Sequence, residues 1–551
     1  MDVDTLIRDG RIVDGTGNPS FLGDIALAAG KIAAVAPRIQ ADAARVIDAA
    51  GLVVSPGFVD THTHCDTTAF VWPEQRNLAT QGTTTATSGQ CGISAGPDSR
   101  TFFEYLTTIC PYGATVFWNN VLPVEEHWES QREYAAAVNR RGTAIDIAPS
   151  IGHGTLRLHV GARGPEPASP AQLEEMKTLL RAALEEGAVG ATAGMSYDPN
   201  RFASYEEVLA LAAICAEYGR AYQFHAPYCA NADAARYSVR LARDSKVRLS
   251  IAHFQAPPKY RHEAEEMLAI VSQARNEGVD ITFNVMQDSH MVYSAKGWKS
   301  IFLWVANTYG GRSWTAEGFD RDVTDPEFRR GLAGLMKRNI GQVADILPGY
   351  LEWLPSARLV RTGTDTLEGW AIGALAKERG AEPEEFTYSL ICGQSGLVPE
   401  GQDPILSLSF AGTEEFIGEA TLHEAGMPST DLNANESVPG LAEMTPWPGA
   451  YNTMPKFFRE SRRRGTGLEE TVRHMTSLPA SSANLFDRGI LREGLKADLA
   501  IFDDADFAPL ASYENLTAPA AGVKWVFVTG TPIIEEGVQN GNLPGRMISL
   551  R

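Results

Sequence analysis

Cysteine is scarce in this chain. Its six residues, Cys65, Cys91, Cys110, Cys215, Cys229 and Cys392, are scattered over 551 positions without a framework spacing, so disulfides are excluded as the main source of stability. Positive charge is also in deficit, with 48 Lys and Arg against 68 Asp and Glu and a formal net charge of −20. That balance argues against nucleic acid or an anionic membrane as a partner and speaks chiefly of solubility. No apolar run is long enough to span a bilayer, and the opening Met1-Asp2-Val3-Asp4 has no basic region followed by an apolar core. No secretory signal is expected, and a cytoplasmic location follows as the default. Internal repeats and low-complexity segments are missing too. What remains is an ordinary globular composition, 44% hydrophobic and 21% charged, at a length that calls for two or three domains.

The two ends of the chain share a texture. Short strands joined by turns run through Thr5–Arg8, Arg11–Val13, Asp24–Leu27 and Lys31–Val35, and again through Asp498–Phe502, Val523–Val528 and Pro532–Ile534. Neither end has enough strands to bury a sheet face, so residues 1–57 and 485–551 are expected to form one small β-sandwich domain. Between them, short apolar strands alternate with helical stretches, the pattern of parallel βα units. Candidate strands are Leu52–Val59, Thr83–Thr87, Ala144–Pro149, Val189–Ala193, Ala221–His225, Leu249–His253, Ile281–Val285 and Gly426–Thr430. Eight such strands make a (β/α)8 TIM barrel over 58–484 the economical α/β architecture. Ser169 followed by Pro170 opens one of its helices with a cap and a first-turn proline. The interval 289–424 is too long for one loop and should carry inserted structure over the barrel mouth.

Reactive groups in such barrels sit at the C-terminal ends of the strands. Here a metal-type residue recurs at that place. His62 and His64 follow the first strand in Phe58-Val59-Asp60-Thr61-His62-Thr63-His64-Cys65-Asp66, and as residues i and i+2 of an extended segment they would face one side. Cys91 follows the second strand, His225 ends the fifth, His253 the sixth, and Asp431 closes the eighth. Each alone has a plainer explanation, a satisfied histidine, a small buried thiol or a helix cap. Their recurrence in register with the strands does not.

These residues, with Gly82-Thr83-Thr84, Gly89-Gln90-Cys91-Gly92, Gly152-His153-Gly154-Thr155-Leu156-Arg157, Glu186–Gly190, Met475–Ala480 and Arg488–Leu499, resemble the amidohydrolase superfamily and, within it, the D-aminoacylase (N-acyl-D-amino-acid deacylase) branch. The resemblance spans nearly the whole chain, and the cysteine after the second strand points to the branch. It implies a metal-dependent hydrolase of non-peptide carbon–nitrogen bonds acting on a small-molecule amide. A tight Zn2+ would be held by Cys91, His225 and His253, with a second, weaker metal position at His62, His64 and Asp431. Asp431 would serve as general base and then acid. A ring-opening hydrolase of cyclic amides or imides, of the hydantoinase or dihydropyrimidinase kind, would use the same metals. A metal-binding protein without catalysis is the third reading.

The resemblance also implies a lysine, a tyrosine and an arginine that hold a substrate carboxylate, and here this chain departs from it. Gln255 stands at the first position, Met286 and Ser289 fall in the segment of the second, and Gly449 occupies the third. A pocket lined by Gln255, Val285, Met286 and Trp447 suits neutral amides, unless Lys259 or Arg261 supplies the missing cation. Tyr197 and, less directly, His153 match substrate contacts. A homo-oligomer is left open, since a large insertion can serve as a lid or as a subunit contact. The run Arg462-Arg463-Arg464 reads as a solvated helix face.

Overall fold

A computed structural model describes residues 2–109, 126–227, 231–256, 258–288, 290–294, 299–300, 302–303, 306–307, 314–338, 355, 357–361, 369–393, 395–398, 405–409, 414–432, 448–512 and 514–550. Five strands open the chain: β1 (Asp2–Ile12), β2 (Phe21–Ala28), β3 (Lys31–Ala36), β4 (Asp42–Asp48) and β5 (Val53–Pro56). Eight further strands follow in order: β6 (Phe58–Asp60), β7 (Thr83–Ser88), β8 (Asp146–Gly152), β9 (Gly190–Gly194), β10 (Ala221–His225), β11 (Arg248–Ile251), β12 (Ile281–Met286) and β13 (His290–Ser294). Then come β14 (Arg358–Arg361), β15 (Ile405–Ser409), β16 (Gly426–Ser429), β17 (Leu499–Phe502), β18 (Val523–Val528), β19 (Thr531–Glu535) and β20 (Val538–Gln539).

Strands from both termini join one nine-stranded sheet in the order β20-β19-β18-β17-β5-β1-β2-β3, with β4 paired to β1. The join is the antiparallel pairing of β17 with β5, Leu499 opposite Pro56 and Phe502 opposite Val53. This divides the segment expected as a single strand, Leu52–Val59. Val53–Pro56 belongs to the terminal sheet, and only Phe58–Asp60 enters the barrel, the chain turning at Gly57. Gly57 is required there, because a Cβ would lie 2.2 Å from the Thr84 side chain.

The barrel sheet runs β16-β12-β11-β10-β9-β8-β7-β6, parallel throughout. Its ring is closed without a regular ladder. Asp431 N donates to His62 O at 2.9 Å, His64 N donates to Leu432 O at 2.9 Å, and Thr63 bridges Leu432 in parallel. Asp60 on β6 adds a side-chain tie, its carboxylate accepting from Thr430 Oγ1 at 2.7 Å and from Thr430 N at 3.2 Å.

Outside the strands, the helices Pro170–Glu185, Tyr205–Glu217, Ala232–Ser245 and Ala264–Asn276 bury one stripe each against β9 to β12. Ser169 caps the first as expected, accepting from Gln172 N while Gln172 reaches back to the cap, with Pro170 in the first turn. The outward positions of β10 (Tyr222, Phe224) and β12 (Ile281, Phe283, Val285) pack into this layer. The lower barrel is filled by Val59, Ala148, Ala480, Ala483 and Leu485. Within 289–424, β13, β15 and β14 form a three-stranded sheet, and Phe302, Phe319, Leu359, Phe386 and Leu390 belong to a separate apolar cluster.

Candidate metal centre

His62, His64, Cys91, His225, His253 and Asp431 meet at the C-terminal end of the barrel. Cys91 Sγ lies 3.4 Å from His62 Nε2, 3.5 Å from His225 Nδ1 and 3.2 Å from His253 Nε2. Asp431 faces the same point, Oδ1 at 3.2 Å from His62 Nε2 and 3.4 Å from His64 Nε2, and Oδ2 at 3.7 Å from His253 Nε2. His62, Cys91, His225 and His253 are buried, whereas the side chains of His64 and Asp431 retain 18% and 14% of their exposure and so form the accessible edge.

Each group is aimed by its backbone. The strand ends at Asp60, and His62 and His64 lie in a bend beyond it, so they converge through the turn rather than through strand alternation; His62 N donates to Asp60 Oδ1 at 3.1 Å. Cys91, His253 and Asp431 all adopt positive φ, at 55°, 33° and 55°. Side chains other than glycine pay for that conformation, and such strain concentrates at functional sites. The Cys91 turn fits because Gly194 has no side chain: a Cβ there would stand 2.0 Å from Cys91 O.

Polar groups around the cluster hold the His225 imidazole and the His253 backbone. Ser196 Oγ lies 3.0 Å from His225 Nε2, which leaves Nδ1 turned towards Cys91. Asn284 Oδ1 accepts from His253 N at 2.8 Å and from Ser429 Oγ at 3.2 Å. Ser196, Asn284 and Asp60 were not singled out from the sequence. Their signal was position alone, at or beside the ends of barrel strands.

Burial lowers the pKa of all three enclosed imidazoles, His253 to about 3, His225 well below its usual value, and His62 below it. They are therefore neutral, with lone pairs free for a cation. Burial alone would raise Asp431, but the surrounding histidines hold it well below the carboxylate range, so it is ionised. A thiol, imidazoles and one carboxylate form a donor set that zinc accepts. Cys91 Sγ stands 3.2 to 3.5 Å from each of the three nitrogens, and ligand atoms of His62, Cys91, His253 and Asp431 all lie within 4.8 Å of one another. Two donors on one tetrahedral zinc, with Zn–S about 2.3 Å and Zn–N about 2.0 Å, are separated by about 3.5 Å. The arrangement fits.

The remaining candidates fall in different places. The Tyr197 ring stands 5.0 Å from His225, edge to face. His153 is buried with Nε2 2.8 Å from Glu207 Oε1, and Arg157 donates to the same carboxylate at 2.6 and 2.8 Å. Gln255 is buried, and its Oε1 has no hydrogen-bond partner among the described residues. Met286 packs with Ala450, Tyr451 and Leu516. Val285 does not line a pocket, because it faces outwards into the layer under the helices. Gly449 is buried in the first turn of the helix Pro448–Arg463. Ser289 and Trp447 lie outside the described residues, as does the Lys259 side chain. Arg261 is committed elsewhere, 2.8 Å from Glu419 and 3.1 Å from Glu415.

Among known proteins, a sequence model of the amidohydrolase family matches residues 45–219. The N-acyl-D-aspartate deacylase of Alcaligenes xylosoxydans xylosoxydans is 26% identical over 558 residues, covering 99% of this chain and 95% of the relative. The D-aminoacylase of the same organism is 25% identical over 553 residues, covering 99% and 97%. In fold, the chain resembles the N-acyl-D-glutamate deacylase of Bordetella bronchiseptica, solved with zinc and a phosphonate inhibitor, at a TM-score of 0.73 and 22% identity across the whole of both chains. Over nearly its whole length the chain is thus similar to deacylases of the D-aminoacylase kind, and residues 45–219 match the amidohydrolase family.

Proposed function

We propose that this chain is a zinc-dependent deacylase that hydrolyses the amide bond of a small N-acylated amino compound, with neutral forms preferred over free carboxylates. The observation that carries the reading is the convergence of one thiol, four imidazoles and one carboxylate at the accessible end of the barrel. Cys91, His225 and His253 are the donors for a tight zinc, and His62, His64 and Asp431 offer a second, weaker position. Zinc bound there supplies a Lewis acid for the scissile carbonyl and lowers the pKa of the attacking water.

Asp431 is placed for the proton transfers. It is ionised, part-exposed and oriented by His62 and His64. Its carboxylate takes the proton of the attacking water as the oxygen adds to the carbonyl carbon. It then returns that proton to the nitrogen as the carbon–nitrogen bond breaks, which leaves a carboxylic acid and an amine. Tyr197, beside His225, is suited to contact the acyl group.

Preference for neutral substrates is supported by Gln255, buried two positions after His253, and by Arg261, whose guanidinium is engaged by Glu415 and Glu419. A carboxylate in a buried site without a cation is costly. The test is hydrolysis by the zinc-loaded protein of matched pairs, an N-acyl-D-amino acid and the same molecule with its carboxylate converted to an amide. Faster turnover of the neutral partner is expected. Faster turnover of the acid would overturn the preference, and no amine release from either would overturn the deacylase reading.

A further inference from the structure

The interior of the barrel is not uniformly apolar. Directly below the cluster is a cavity of ≈ 20 Å³ whose lining includes Thr87, Gln90, Ser150, Gln223, Ser250 and Ser482. It lies between the reactive groups above and the apolar plug of Val59, Ala148, Ala480, Ala483 and Leu485 below. Three of the lining residues carry an atom with no hydrogen-bond partner among the described residues: Gln90 Oε1, Gln223 Oε1 and Ser250 Oγ. Gln90 is 1% exposed and Ser250 4%. Along β10 the inward residues Ala221 and Gln223 are part-exposed while their outward neighbours Tyr222 and Phe224 are fully buried, so the inside of the ring is the wetter side.

Buried polar atoms are almost always satisfied, by protein or by ordered water, and a cavity of this size with polar groups on its wall has room for one water molecule. The position has a consequence for the cluster. Gln90 precedes Cys91 in the chain. Gln223, two residues before His225, donates through Nε2 to Thr61 O, the carbonyl immediately before His62, and Thr87 Oγ1 donates to the same carbonyl.

We propose that this cavity is an ordered-water site bridging Ser250 Oγ, Gln90 Oε1 and Gln223 Oε1, and that Gln223, locked by that water, is a positioning residue for His62. The water satisfies the oxygen end of the Gln223 amide while the nitrogen end holds the Thr61 carbonyl. Gln223, together with Thr87, thus sets the angle at which the chain delivers His62 to the cluster. The positioning role rests on the reading of the cluster as a metal centre; the water site does not.

The test combines a crystal structure at atomic resolution with cobalt titration of the protein. The structure should show a water in hydrogen-bond contact with Ser250 and both glutamines. Ser250→Val, which fills the cavity, and the milder Ser250→Ala and Gln223→Met should weaken cobalt affinity about tenfold, the cost of losing an outer-sphere partner. They should also shift the visible cobalt absorption, a readout that a merely structural loss of stability would not move. An empty cavity at atomic resolution would overturn the water site. Wild-type cobalt affinity and spectrum in all three variants would overturn the positioning role. A wild-type protein that takes up no cobalt would instead refute the metal-centre reading, separately from the water.

Discussion

Cys91 Sγ lies 3.2 Å from His253 Nε2, although 162 positions separate them in the chain. Cys91 is also within 3.5 Å of His62 and His225, which makes it the hub of the cluster. Cys91→Ser exchanges a soft donor for a hydroxyl that does not ionise at neutral pH, and metal retention is expected to fall roughly tenfold or more. Elemental analysis after dialysis against a chelator checks this. Metal content equal to wild type would remove Cys91 from the ligand set.

Asp431→Asn keeps the size of the side chain and removes the base. Turnover is expected to drop about 10²- to 10⁴-fold, while zinc remains at the flank formed by Cys91, His225 and His253. Parallel measurement of kcat and bound zinc separates the roles. Loss of metal in proportion to activity would make Asp431 chiefly a ligand.

Glu207 gives a pH signature remote from the cluster. Burial opposes its charge, but His153 and the Arg157 guanidinium outweigh burial and bring its pKa from 4.5 to about 2. A carboxyl depressed in the folded state contributes stability that is fully present above pH 4.5 and is lost as the pH falls towards 2. Glu207→Gln should cost at most about 3 kcal/mol at neutral pH. Urea unfolding at stepped pH should show that difference shrinking on acidification.

Arg488 sits 2.8 Å from Asp146 and 3.4 Å from Asp498, with all three side chains almost fully enclosed. It also donates to Thr85 at 2.8 Å, so it ties the turn segment between the helix Ser477–Ser482 and β17 to β7 and β8. Arg488→Met would leave two buried carboxylates with a poorer partner, at a cost of about 3–5 kcal/mol. Burial already pushes Asp498 up to about 6, so part of the loss should be recovered near pH 5 as the carboxyl protonates. Denaturant midpoints at two pH values test both parts.

Much of this was readable before the fold was known. The βα alternation located the strands to within a few residues, because parallel strands buried on both faces are short apolar runs bounded by turns. The convergence of His62, His64, Cys91, His225, His253 and Asp431 was legible because a barrel places strand ends at one mouth, so a recurring residue type in register is a spatial statement. Three things were not. The division of Leu52–Val59 depends on β17, some 440 positions away, which captures Val53–Pro56 by pairing and cannot be seen in a local pattern. The engagement of Arg261 by Glu415 and Glu419 is likewise a long-range pairing. Asn284 acts through a hydrogen bond from the His253 backbone N–H and Ser196 through one to the His225 imidazole, and nothing in their type distinguishes them from other buried polar residues.

The ring of strands has no ladder between its first and last members; it is fastened where Asp431 bonds His62 and His64 bonds Leu432. The buckle of the barrel is thus built from the residues that face the cluster. A cation seated there would pull on both ends of the same belt, linking segments 370 positions apart at Asp60 and Thr430. Such a protein gains shape and reactivity in one event, and stripping its ion should unfasten the seam before any helix on the outside lets go.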